Sequence, residues 1–109
     1  MGERARRVGE NEALFRSVNE QVRGLNETFL VRDTLRIVCE CGEQSCIEQL
    51  EIEPAAYEKL RADPTLFAVK PGHEAPDFET VVERNDGYSV VSKDRGEPED
   101  IARATDPRS

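Results

Sequence analysis

All three cysteines of this 109-residue chain fall within eight positions, at Cys39, Cys41 and Cys46 in "VCECGEQSC". No other feature limits the fold as sharply. In an extended segment residues i and i+2 point to the same side, so Cys39 and Cys41 present two sulfurs together. Gly42 permits a sharp turn that returns Cys46 toward them. Three converging thiolates repel one another, and a divalent cation that accepts sulfur relieves the repulsion. C-x-C-x4-C departs from the commoner C-x2-C spacing. Zinc nevertheless accounts for the clustering better than three buried thiols acting as small apolar groups do.

Tetrahedral Zn2+ needs a fourth ligand. The chain has a single histidine, His73, in "KPGHEAP", just past an expected strand and in a turn constrained by Pro71 and Gly72. If that strand lies beside the cysteine hairpin, His73 completes a Cys3His set, a composition of closed structural sites. Glu40, Glu43, Glu74 or water are the alternatives for the fourth position, although the glutamates fit a solvated rim more simply.

The rest of the chain supplies a scaffold for this corner. Residues 1–10 read as a flexible N-terminus. From Asn11, a plausible N-cap, Leu14, Phe15, Val18, Val22, Leu25 and Phe29 recur at spacings of three and four and predict an amphipathic helix. "TLRIVCEC" and "CIEQLEIE" read as two strands of a hairpin with the cysteines in its loop. "PAAYEKLRADP" is a short helix that begins at Pro54. "TLFAVK" is a strand, and "FETVVERN" and "GYSVVSK" form a second hairpin around the turn signal "NDG". Residues 97–109 read as a short C-terminal helix or tail. The expected fold is α+β: one mainly antiparallel sheet of about five strands, with the N-terminal helix and a short second helix packed on it. A single zinc-binding domain spans 11–96. Tyr57, Phe67, Phe78 and Tyr88 read as core residues.

Charge narrows the partners. With 23 acidic against 15 basic residues the formal net charge is −8, which disfavours polyanionic nucleic acid. Arg4, Arg6 and Arg7 are the best candidate for a local basic patch, but Glu3 and Glu10 flank them. No apolar run approaches the roughly 18–20 residues of a membrane span. "MGERARRVGENEA" has no apolar core after its charges, so it does not read as a secretory signal, and the expected compartment is the cytoplasm, where thiols stay reduced. Hydrophobic residues make up only 37% of the chain and Trp is absent. A metal that ties loops together is a useful supplement to so thin a core.

"CECGEQSC", followed by "LEIEPAAYEKLRADPTLFAVKPGHE" and "VVERNDGYSVVSK", resembles a family of small, uncharacterised actinobacterial-type proteins over roughly residues 10–106. The resemblance implies that Cys39, Cys41, Cys46 and His73 go together; it implies no activity. The cluster is also locally similar to the zinc corner that follows the catalytic domain of SET-type methyltransferases, where the same spacing supplies three ligands and a remote residue the fourth. The chain is too short for that catalytic domain and lacks its cofactor motifs.

No phosphate-binding, dinucleotide-binding or nucleophile-elbow motif is present. A Cys46–His73 nucleophile pair is conceivable, but three clustered cysteines suit a metal better. The expected role is therefore non-enzymatic: a small cytoplasmic protein with a structural zinc, acting through contact with another protein, either as a monomer or as a homodimer through the N-terminal helix. A thiol-based redox or zinc-responsive switch is the alternative. A zinc hydrolase comes third, because it needs an open coordination position and a base such as Glu40 or Glu74.

Overall fold

The computed structural model describes residues 3–28, 34–43 and 45–108. The elements run α1 (Glu3–Thr28), β1 (Leu35–Val38), β2 (Gln49–Ile52), α2 (Pro54–Ala62), β3 (Leu66–Val69), β4 (Glu79–Asn85), β5 (Tyr88–Lys93) and α3 (Glu97–Ala104). The fold is α+β. All strand pairings are antiparallel, but the five strands form two sheets, β1-β2 and β3-β5-β4, where the sequence predicted one.

Side chains explain the division. Past β1 the chain runs along β3 and makes one backbone bond to it, Glu40 N–H to Ala68 O at 2.8 Å. The next groups on β3 are taken by side chains. Ala68 N–H donates to the Glu40 carboxylate at 3.1 Å, and Lys70 N–H donates to Cys39 Sγ at 3.1 Å. A carboxylate and a thiol thus stand where a neighbouring strand's carbonyls would stand in a continuous ladder.

Two apolar clusters flank the central β3-β5 pair. Leu35, Ile37, Leu50, Ile52, Tyr57, Leu60, Ala68, Tyr88 and Val90 form one. Phe67, Val69, Val91 and Ala102 join Cys39 and Cys41 in the other. The alternation of strand side chains assigns them: Ala68 pairs with Val90, and Phe67 pairs with Val91 on the opposite face. All four aromatics expected in the core are buried.

Helix α1 differs from its sequence reading at both its start and its face. It begins at Glu3, not Asn11, because the charged N-terminal stretch is rich in helix formers and Arg6 pairs with Glu3 and Glu10 one turn away. Asn11 is no cap; its amide donates to Gly42 O at 3.0 Å. The expected apolar stripe is not the buried face. Leu14 and Val18 are 55% and 37% exposed, whereas Gly9, Glu12, Arg16 and Asn19, on the same helical spacing, are buried. Val22 packs against the first cluster; the Leu25 side chain and Phe29 lie outside the described residues.

This polar face is tolerated because each of its polar side chains meets at least one partner. Arg16 donates to Pro64 O, Ala102 O and Thr105 Oγ1 at 2.7–2.9 Å and stacks over Phe67. Asn19 bonds both backbone groups of Val38, at 2.8 and 2.9 Å. Glu12 pairs with Lys93, which also binds Glu79 at 3.0 Å. Among the described residues the buried carboxyl groups are Glu12, Glu40 and Glu79, and the buried basic side chains are Arg16, Arg61 and Lys93, so acids and bases are matched in number.

Glu12 is the weak member. Its Oε2 has no hydrogen-bond partner among the described residues. Burial, then the neighbouring Glu79, pushes its carboxyl well above the ordinary glutamate range, against the opposing pull of Lys93. The sign follows: an acid whose pKa is raised by folding contributes most below its unfolded value, near 4.5, and that contribution is lost as pH rises through the folded value. Glu12→Gln should therefore leave stability little changed near pH 5 and raise it progressively toward pH 8. Thermal melts of the two proteins across that range check this; a variant uniformly less stable at both ends refutes it.

Candidate metal centre

Cys39 and Cys41 lie just beyond the end of β1. Cys39 N–H donates to Glu48 O at 3.0 Å, which carries the hairpin pairing one step past the strand and fixes the first sulfur. Cys46 sits on the return toward β2, its N–H bonded to Glu43 O at 3.0 Å. Ser45 closes the same turn through its hydroxyl, which donates to the Glu43 carboxylate. His73 follows β3 in a turn held by His73 N–H to Lys70 O at 2.9 Å. Gly72 stands there at φ +90°, a conformation that side chains disfavour.

Gly42 has a different reason from the expected one. It is not among the glycines with positive φ. A Cβ at this position would lie 2.5 Å from Val8 Cγ1, so the missing side chain makes room for α1 to cross the cysteine loop. Gly42→Ala should cost about 1–3 kcal/mol, the range for overpacking a filled site. The companion change Val8→Ala should recover most of that loss in urea unfolding.

The structure brings together the four residues that the sequence singled out. One ligand atom from each of Cys39, Cys41, Cys46 and His73 lies within 4.8 Å of all the others. His73 Nδ1 is 3.7 Å from Cys39 Sγ and 3.6 Å from Cys46 Sγ. Zn–S bonds of about 2.3 Å and a Zn–N bond of about 2.0 Å at tetrahedral angles require an S···N edge of about 3.5 Å. These two edges match a tetrahedral ion, and the four residues could hold a metal.

The thiols are already biased against one another. A hydrogen bond from Cys39 is the largest influence on Cys41 and brings it down to about 5. That same bond, then burial, pushes Cys39 up. Burial raises Cys46 more modestly. Proton sharing among close sulfurs is the cheaper arrangement when no cation neutralises them, and a bound divalent ion removes the need for it.

The other candidates for the fourth position are engaged elsewhere. Glu43 caps Ser45, and Glu74 accepts from Gly72 N–H at 3.1 Å. Glu40 corrects the expectation of a solvated rim most strongly, since it is fully buried. Alternation sends its side chain away from the two flanking sulfurs and into the core. There Arg61 donates two bonds to it, at 2.7 and 2.8 Å, Asn19 adds one at 2.7 Å, and Ala68 N–H supplies the fourth.

Sequence reasoning missed Arg61 and Asn19 as supports of this corner. A signal for Arg61 existed: it shares the buried face of α2 with Tyr57 and Leu60, and an arginine on a buried stripe calls for a buried anion. Asn19 carried no comparable signal, because only the packing of α1 across β1 shows that its amide substitutes for a strand partner.

No protein-family model, curated protein or solved structure matches the chain. Among the described residues no helix is long and apolar enough to cross a membrane.

Proposed function

We propose that this chain is a small zinc-binding protein of the reducing cytoplasm, that its metal is structural and held by Cys39, Cys41, Cys46 and His73, and that it acts through contact with another protein. The observation that carries the reading is the agreement of the Cys39–His73 and Cys46–His73 distances, 3.7 and 3.6 Å, with a zinc tetrahedron. Three thiolates and one imidazole fill that tetrahedron and leave no position for a reacting water. Glu40, one of the two candidates for the general base of a hydrolase, is committed to Arg61. The resemblance to small actinobacterial-type proteins that share the cysteine and "PGH" pattern goes with this reading.

Native mass spectrometry of untagged protein tests it. One zinc per chain is expected, and cobalt substitution should give the charge-transfer bands of a tetrahedral thiolate-rich site. A metal-free chain, or an octahedral cobalt spectrum, overturns the reading.

One observation favours the redox or zinc-responsive alternative. Cys39 and Cys41 are buried, but Cys46 and His73 are partly exposed, so one side of the site faces solvent. Under that alternative dilute hydrogen peroxide should release zinc within minutes and a thiol reductant should restore binding. Retention of zinc through such treatment assigns the metal a structural role alone.

A further inference from the structure

Away from the metal corner, between β2, α2 and the β4-β5 hairpin, the surface opens into a groove. Its deeper part, a cavity of about 170 Å3, is lined by Ile52, Ala56, Leu60, Leu66 and Val90 together with Lys59, Glu83 and Tyr88. A wider mouth continues past Glu51, Glu53 and Asp86 and shares Ile52, Ala56, Glu83 and Tyr88 with it. The deep part is of the size of one long side chain, and the mouth, at about 460 Å3, is wide enough for the segment that carries it.

Two independent observations indicate what fits. The first is charge. Glu51, Glu53, Glu83 and Asp86 ring the groove, and among the described residues Lys59 is the one cation that lines it; Arg36 partly offsets Glu51 through an exposed pair at 3.4 Å. The second is Tyr88. This residue is only 9% exposed and lines both parts of the groove, yet its hydroxyl makes no hydrogen bond to a described residue. Burial raises its phenol pKa, and the charges of Glu83 and Glu53, which line the groove with it, raise it further. A groove with an apolar floor of Ile52, Leu60 and Val90 and with Tyr88, Glu53 and Glu83 among its lining residues matches an aliphatic stem with a cationic tip.

We infer that this groove docks a lysine side chain of an extended basic segment of a partner protein, the methylene stem on Ile52, Ala56, Leu60 and Val90 and the ammonium between Tyr88, Glu53 and Glu83. The inference rests on the reading that the chain acts through protein contacts and names the chemistry of the partner. The side chain's stem gains from apolar burial, and its ammonium keeps hydrogen-bond acceptors in place of water.

The test is an amide-resonance titration of the full, zinc-loaded chain with a short acetylated and amidated peptide of alternating lysine and alanine. A glutamate–alanine peptide serves as the control, and zinc content is measured on the same sample. The expected result is saturable binding of the lysine peptide, with shifts confined to Ile52, Ala56, Tyr88 and Val90. Glu53→Gln combined with Glu83→Gln, both at exposed positions, should weaken it at least tenfold, and Tyr88→Phe several-fold. Glu99→Gln combined with Asp100→Asn, on α3, should leave it unchanged. Shifts spread over every acidic surface, or affinity that survives the groove variants, overturn the proposal. So does a concentration-dependent shift of the groove resonances without peptide, which assigns the groove to a second copy of the chain. Absence of peptide binding with one zinc in place rejects the groove alone; absence of zinc rejects the metal reading instead.

Discussion

With zinc in the proposed site, stripping the metal from this protein should unfold it. Structural zinc in small domains contributes about 10–16 kcal/mol of apparent binding free energy. A domain of this size has a total stability of about 5–15 kcal/mol. Loss of the ion thus removes an amount comparable to everything else that holds the chain together, and it leaves three sulfurs crowded around a void. Far-UV circular dichroism with a strong chelator should show a cooperative loss of structure at 25 °C, reversed by added Zn2+. Cys41→Ser should behave like the chelated protein, since Cys41 is buried and belongs to the second apolar cluster. His73→Ala should be milder. His73 is partly exposed and water can replace it, so that variant should fold at saturating zinc with a weakened affinity. A melting curve indifferent to chelator would remove the metal from any structural role.

The second large effect should come from Glu40→Ala, a change that touches no ligand. It leaves the Arg61 guanidinium without its carboxylate in a site where both are almost wholly buried. It also leaves Ala68 N–H without an acceptor. Breaking one half of a buried pair costs about 3–5 kcal/mol. Urea unfolding should show a loss of that size for Glu40→Ala and for Arg61→Ala. The double variant should lose well under the sum, because the second substitution removes the stranded charge. Zinc affinity should fall in Glu40→Ala as well, since Glu40 anchors the backbone between Cys39 and Cys41. Additive losses would show that the two side chains act independently and that the bidentate contact is incidental.

The metal corner is legible in the amino-acid sequence because its logic is local. Cys39 and Cys41 are two residues apart on an extended chain, and that spacing alone aims both sulfurs one way. Cys46 lies on the same hairpin, and a single histidine leaves little choice for an imidazole ligand. The helices, the hairpins and the aromatic core likewise follow from periods and turn residues that a short window contains.

The face of α1 is not legible in this way. Apolar Leu14 and Val18 and polar Glu12, Arg16 and Asn19 follow the same helical spacing, so periodicity cannot choose between the two stripes. Hydrophobicity favours the first. The fold buries the second because Lys93, Val38, Ala102 and Glu40 arrive from distant parts of the chain to satisfy it. The division into two sheets has the same origin. Whether β1 continues its ladder onto β3 depends on what occupies Ala68 N–H and Lys70 N–H, and both partners are side chains from residues about thirty positions away.

By itself, then, the sequence determined the α+β class, the order of the elements and the four residues that gather at the metal corner, since each depends on spacing within a few residues or on a residue type present once. Only the tertiary structure decided which face of α1 is inside, that Glu40 anchors the core instead of facing water, and that Tyr88 ends free in an acidic groove. Those outcomes are pairings of polar groups far apart in the chain, and the free energy of burying a polar group is set by its partner, which no local window contains.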